Sequence, residues 1–312
     1  MTTRILSTSA LVGPALQDLG ARFPELTIAP FRSIAWKMSL STAEALVVLL
    51  SEPLTEIDLD LAPKLKVVGT YSVGRDQLPL EALENRGIRV VNTPGVLTDD
   101  TADMALAMLL TLARRLKDGE ALTRGGLWKG WAPDQLLGTG LAGKVCGILG
   151  TGGIGKAFAR RAWALGMKPV FWDREGKGTP VDFGAGIARR IPLADLLPQC
   201  AALSIHCPLT PQTRGLLDRT LLQRLPKGAF IINTARGGIL DEDAAIQLLH
   251  QGLLGGVGLD VYEGEPNINQ AWFKAPRTVL LPHLGSATQE TREAMAKLLC
   301  DGIAKTLGGK LG

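Results

Sequence analysis

Residues Val145-Cys146-Gly147-Ile148-Leu149 form a short apolar run that passes directly into Gly150-Thr151-Gly152-Gly153-Ile154-Gly155. The run reads as a buried strand, and the residues after Gly153 read as a helix. Glycines at 150, 152 and 155 have the G-x-G-x-x-G spacing, which joins strand, tight turn and helix into one unit. The first glycine permits the turn, the second lets backbone approach a ligand, and the third lets helix pack on strand. Helix N–H groups, with the positive end of the dipole behind them, then face a pyrophosphate. In a chain with 37 glycines the motif alone is weak evidence. A second apolar run, Pro169-Val170-Phe171-Trp172, strengthens it by ending at Asp173. An acid about 20 residues beyond the turn is what adenosine ribose hydroxyls require. A dinucleotide is therefore the expected ligand of this turn. Gly150, Gly152, Gly153, Ile154 and Gly155 would meet its phosphates and Asp173 its free ribose, while the adjacent Arg174 would favour a 2′-phosphate.

A length of 312 residues suits two domains of about 150 residues each. Apolar residues make up 46% of the chain, enough for a substantial core, and the net charge is only +4. No block of like charges occurs, so no nucleic-acid partner is expected. No segment approaches about 18 uninterrupted apolar residues, so no membrane span is expected either. The N-terminus lacks the apolar stretch of a signal peptide. Cys146, Cys200, Cys207 and Cys300 fit neither a zinc site nor a redox pair, so no metal is expected. These features point to a reduced, soluble, cytoplasmic enzyme acting on a small molecule.

Strands and helices alternate along the chain, which predicts an α/β fold of two doubly wound parallel sheets. Candidate strands of the first sheet are Ile5 to Ser7, Leu26 to Ala29, Ala45 to Leu50, Lys66 to Tyr71 and Arg89 to Asn92. Thr98-Asp99-Asp100-Thr101 offers N-caps for a long helix from Ala102 to Lys117, with Asp99, Asp100 and Asp103 favoured there by the dipole. The segment Leu127 to Gly143 reads as a loop whose Trp128 and Trp131 serve a subunit contact or the core. The second sheet is expected from Val145 to Leu149, Pro169 to Trp172, Ala202 to His206, Ala229 to Thr234, Gly256 to Val261 and Thr278 to Leu281. Helices should follow the first five of these strands, some of them short. A last helix, Thr288 to Leu307, lies after this sheet and is free to rejoin the first.

Ligands in such folds bind at the carboxyl ends of the strands. The fourth strand of the nucleotide sheet ends in Arg236, the loop after the fifth holds Glu263 and Glu265, and the sixth ends in His283. A general acid working near neutral pH is most often a histidine, and the chain has three. His250 lies late in an amphipathic helix, where it answers the dipole. His206 ends a strand beside Cys207 and Pro208, with no charge near it in sequence. His283 has acids available from the preceding loop and is the expected acid/base. Its carboxylate partner is Glu263 or Glu265; spacing does not separate them. Arg236 supplies a planar cation suited to capturing a carboxylate. Hydride delivery, carboxylate capture and proton donation together describe reduction of a 2-keto acid to a 2-hydroxy acid.

Seven segments, in order, then resemble the D-2-hydroxyacid dehydrogenase family. They are Ser72-Val73-Gly74-Arg75-Asp76, Asn92-Thr93-Pro94-Gly95-Val96-Leu97-Thr98-Asp99-Asp100, the glycine turn, His206-Cys207-Pro208-Leu209-Thr210-Pro211-Gln212-Thr213, Asn233-Thr234-Ala235-Arg236-Gly237-Gly238, Gly258-Leu259-Asp260-Val261-Tyr262-Glu263-Gly264-Glu265-Pro266 and Pro282-His283-Leu284-Gly285-Ser286. The resemblance implies a catalytic trio of Arg236, Glu265 and His283, the glutamate before Pro266 being the one that matches. It implies a Rossmann NAD(P)-binding domain, residues 98–283, inserted into a flavodoxin-like substrate domain, residues 1–97 and 284–312. It implies cofactor contacts at Thr101, Cys207, Pro208, Thr213, Thr234, Ala235, Asp260 and Gly285, with Asp260 near the nicotinamide carboxamide. The substrate would meet Val73, Gly74, Arg236 and His283, with Leu50, Ser51 and Tyr71 shaping the pocket, in a homodimer. The subgroup most resembled is the glyoxylate, hydroxypyruvate and hydroxyphenylpyruvate reductases.

Two departures bear on the cofactor. Gly153 stands where the family commonly has arginine, and Asp173 is retained where NADP-preferring members often lack an acid. NAD is therefore the expected cofactor, with some use of NADP. An NAD(H)-sensing co-repressor on the same scaffold is the alternative of another class, and it would not need the complete trio. A phosphite-type dehydrogenase is the alternative within enzymes; Glu265 argues against a formate enzyme.

Overall fold

The computed structural model describes residues 3–174 and 179–308. The chain divides into two compact units, Met1–Leu97 with Ser286–Gly312, and Thr98–Gly285. The second border lies two residues beyond the expected 283/284. Asp260 accepts the N–H groups of Leu284 and Gly285, and Thr101 donates its hydroxyl to the Gly285 carbonyl. These bonds keep residues 284 and 285 with the second unit.

In the first unit, β1 (Arg4–Ser7), β2 (Glu25–Ile28), β3 (Ala45–Val48), β4 (Val67–Thr70) and β5 (Arg89–Val91) form a parallel sheet in the order β2-β1-β3-β4-β5. This is the flavodoxin-like order. Central strands β3 and β4 are buried at every residue, and edge strands β2 and β5 are not. Burial on both faces is why the central strands read as unbroken apolar runs. Trp36, Leu40, Leu46, Val68 and Leu83 fill the core on one side. The final helix, Gln289–Thr306, belongs to this unit and is capped by Thr288, which accepts the Thr291 N–H. Met295, Leu299 and Ile303 form its buried stripe, and the Tyr71 hydroxyl donates to the Arg292 carbonyl.

The second unit contains β6 (Val145–Leu149), β7 (Lys168–Trp172), the short pair β8 (Val181–Asp182) and β9 (Ile187–Ala188), β10 (Cys200–Ile205), β11 (Ala229–Asn233), β12 (Leu254–Leu259) and β13 (Thr278–Leu280). Six of these make a parallel sheet in the order β13-β12-β11-β10-β6-β7. Beyond β7 a single parallel bridge joins Phe171 to Arg190, with Phe171 N–H to Arg189 O at 2.8 Å and Ile191 N–H to Phe171 O at 3.0 Å. It occupies the place of the third strand of a Rossmann half. No strand signal marks this stretch in the sequence, because Arg189-Arg190 interrupts the apolar run and Pro192 lacks an N–H.

Three expectations about this unit are corrected. The long helix runs Thr98–Ala113, so Thr98 to Thr101 lie inside its first turn rather than before it. Asp99 and Asp103 there pair with Arg161, at 3.1 Å and 2.6 Å. The helix does not reach Lys117: Arg115 takes a left-handed conformation (φ 54°), and a second helix runs Leu116–Arg124. Helices do not directly follow all five strands. The β8–β9 hairpin comes between β7 and the helix Leu193–Leu196, and β12 leads only to a 3-10 turn, Gln270–Lys274.

Residues 127–143 hold neither helix nor strand. Trp128 is 55% and Trp131 83% exposed, so the reading of these residues as core of this chain fails. All four cysteines are buried and unpaired, and burial pushes their thiols up. Among the described residues no helix is long and apolar enough to cross a membrane.

Candidate active site

The glycine turn is built as a cradle. Gly150 follows β6 at φ 112°, with its N–H bonded to Trp172 O at 2.8 Å. A Cβ at Gly150 would lie 2.8 Å from the His206 carbonyl, and one at Gly155 would lie 2.2 Å from the Gly150 carbonyl. Both positions therefore exclude side chains. The helix Gly153–Ala164 starts there with Gly152 at its N-cap, where a Cβ would meet nothing within 4 Å. Space free of side chains above unsatisfied N–H groups fits a dinucleotide pyrophosphate. Ile154 is the second residue of this helix and half-buried. At the end of β7, Asp173 accepts the Thr151 hydroxyl at 2.9 Å and pairs with Arg190 at 3.2 Å. Arg174 is exposed and reaches Gln212 at 3.4 Å.

The loop after β10 carries Cys207, buried, and Pro208, exposed. Thr213 donates its hydroxyl to Pro208 O at 2.6 Å and accepts the Thr210 N–H at 2.8 Å, so it shapes this loop from within. His206 is bonded to Ser204 at 2.8 Å and Thr234 at 3.4 Å, and burial pushes it down to about 3. A neutral ring of this kind is a poor proton donor at neutral pH.

His283 follows β13. Its Nδ1 lies 2.9 Å from Glu265 Oε2, while Glu265 Oε1 accepts the Tyr262 N–H at 2.7 Å. Glu263 instead faces Arg214, at 3.5 Å. Burial raises the Glu265 carboxyl, but the His283 ring, the Tyr262 N–H and the Arg236 charge outweigh it and hold it below the usual glutamate range. The carboxylate is thus ionised beside the ring. The His283 backbone is left-handed, φ 57°, an uncommon state for a non-glycine residue. Asp260, 1% exposed, braces the next two residues: its oxygens accept Leu284 N–H at 2.6 Å and Gly285 N–H at 2.7 Å. Burial raises the Asp260 carboxyl despite those two bonds. Asp260 thus supports the turn that presents His283. Asp260→Ala is expected to cost about 2 kcal/mol of stability. It should also lower kcat at least tenfold, readable by thermal denaturation and steady-state kinetics.

Arg236 follows β11, its Nη1 donating to Ala235 O at 2.7 Å. Buried Asn233 accepts the Ala235 N–H at 3.0 Å and donates to Arg236 O at 2.9 Å, fixing this turn. Gly237 packs so closely that a Cβ would sit 1.9 Å from the Tyr262 carbonyl carbon. The arginine turn is thereby seated on the loop that carries Glu265. Glu242 holds the same loop, accepting the Glu263 N–H at 2.8 Å and the Trp272 indole N–H at 2.7 Å. The sequence reading missed Asn233, Glu242 and Arg190. Asn233 was detectable as a polar residue closing an apolar strand; nothing local marks the other two.

Leu50, Ser51, Tyr71, Val73 and Gly74 belong to the first unit. Val73 and Gly74 follow β4 in a loop whose carbonyls accept Asn92 Nδ2 at 2.9 Å and Ser72 Oγ at 2.6 Å. Tyr71 is buried, Leu50 half-buried and Ser51 exposed.

Residues 106–285 match the family described as D-isomer specific 2-hydroxyacid dehydrogenase, NAD binding domain. The chain is 42% identical over 273 residues to the glyoxylate reductase of Thermococcus litoralis, spanning 86% of this chain and 82% of that one. A crystal structure of a protein from Thermus thermophilus superposes with a TM-score of 0.90 at 40% identity, over 99% of this chain and 98% of that one. An NADPH-dependent glyoxylate/hydroxypyruvate reductase from Sinorhizobium meliloti, in complex with NADP and malonate, gives a TM-score of 0.83 at 32% identity, over 97% and 93%. With its glycine cradle, its two doubly wound sheets and these likenesses, the chain belongs to the D-2-hydroxyacid dehydrogenase family.

Proposed function

We propose that this enzyme reduces a small 2-keto acid of the glyoxylate and hydroxypyruvate class to the D-2-hydroxy acid. One observation carries the chemical assignment: an imidazole held at 2.9 Å by an ionised glutamate that also feels the Arg236 charge. A bound nicotinamide supplies the hydride. Arg236 binds the substrate carboxylate through the planar fork of its guanidinium. Glu265 fixes the His283 ring through Nδ1, which leaves Nε2 to donate a proton to the keto oxygen as it gains charge. The same ring takes the proton back in the oxidation direction. Relatives at 42% and 32% identity that are named for glyoxylate, one of them also for hydroxypyruvate, support the substrate class.

A panel of keto acids ranked by kcat/KM with NADH and NADPH tests the substrate. Glyoxylate or hydroxypyruvate should head it, and preference for a bulky keto acid would overturn the reading. Glu265→Gln tests the proton donor. Glu265 holds the ring in place at 2.9 Å, so its loss should lower reductive kcat at least about tenfold while NADH still binds. An unchanged kcat would remove Glu265 from the role. The folded Glu265 carboxyl is depressed, so its stabilising contribution is present above the unfolded value near about 4.3 and lost as pH falls through the folded one.

The proposal extends to a homodimer, supported by the apolar side chains that residues 127–137 leave exposed: Leu127, Trp128, Trp131 and Leu137. Sedimentation equilibrium should give twice the 33.1 kDa chain mass, and Trp131→Ala should shift the species toward monomer.

A further inference from the structure

The end of β7 carries an ion pair that ribose recognition by an aspartate does not require. Arg190 Nη1 lies 3.2 Å from each carboxylate oxygen of Asp173. Thr151, inside the glycine turn, donates to Oδ2 of the same carboxylate. The two charged side chains are only 15% and 18% exposed. Arg190 reaches this point because its backbone bridges Phe171, two residues before Asp173. Its Nε is buried without a hydrogen-bond partner among the described residues, a cost that points to a role for the charge itself. Arg174, the neighbour in sequence, turns instead toward Gln212.

We propose that Arg190 is a specificity-determining residue, setting how strictly the enzyme excludes a phosphorylated adenosine ribose. The proposal rests on the reading that Asp173 faces that ribose. An aspartate alone rejects a 2′-phosphate, because like charges meet in a partly desolvated place. A guanidinium against both oxygens offsets that charge at short range. Carboxylate oxygens each accept more than one hydrogen bond, which suits them to ribose hydroxyls. The pair therefore tolerates NADPH while still holding NADH, and residue 190 governs the balance.

The test is a fluorescence titration of NADH and NADPH, without keto acid, on the parent enzyme and on Arg190→Met, Arg190→Lys and Asp173→Ser. Arg190→Met should raise the ratio of Kd for NADPH to Kd for NADH about tenfold at low salt, an effect that shrinks as salt rises. Arg190→Lys, which keeps the charge, should stay within about threefold of the parent. Should the methionine variant not fold, Arg190→Gln removes the charge and keeps a donor. Equal weakening of both coenzymes, an unmoved ratio, or a lysine variant as affected as methionine would overturn the proposal. Asp173→Ser should lower the ratio. If it does not, the placement of Asp173 at the ribose fails, whatever the arginine variants show.

Discussion

His283→Asn should lower kcat about a thousandfold while NADH still binds. The loss follows from what the ring does: proton transfer by a positioned side chain contributes about 10²–10⁴ in rate, and an amide cannot supply that proton near neutral pH. The asparagine also tolerates the left-handed backbone that His283 adopts, so the turn held by Asp260 survives the change. The defect should thus fall on turnover and leave the fold and the coenzyme site intact. Steady-state kinetics and an NADH fluorescence titration on one preparation separate these effects. A loss under about tenfold in kcat would remove His283 from the proton-donor role.

Arg236→Ala should lower kcat/KM about a thousandfold, through both KM and kcat. Arg236 offers a planar pair of donors that match a carboxylate, and such charge-assisted contacts are about twice as strong as neutral ones. Its positive charge also acts on Glu265, so its removal disturbs the His283–Glu265 pair as well as the substrate. Arg236→Lys should recover only part of the loss, since an ammonium cannot reproduce the fork. The turn is fixed independently by Asn233 and by the seating of Gly237 under Tyr262. The alanine variant should therefore melt near the parent temperature. A rise in KM with unchanged kcat would assign Arg236 to uniform binding alone.

Much of this architecture was legible because parallel strands buried on both faces write themselves as apolar runs. β3, β4 and β11 are buried throughout, and each stood out in the sequence. The glycine turn was legible because close approach admits no Cβ at Gly150 or Gly155. Local spacing stopped at the choice between Glu263 and Glu265. Both lie in one loop, and side-chain direction there depends on the turn at Gly264, φ 77°, and on Arg214 and His283 from distant segments. The break at Arg115 was hidden by an apolar periodicity that carries across it. Arg190 and Glu242 were invisible for one reason: their partners, Asp173 and the Glu263 backbone, are far away in sequence. Asp99 and Asp103 read only as dipole partners for the same reason, since Arg161 is more remote still.

The bond from Thr101 to Gly285 joins the first turn of the inserted unit to its last residue. The excursion of 188 residues from Thr98 to Gly285 thus departs and returns at almost the same place. Genetic excision of that stretch should yield an autonomous polypeptide with neighbouring termini, suited to circular permutation. A few residues of spacer would then suffice to rejoin Leu97 to Ser286 in what is left behind.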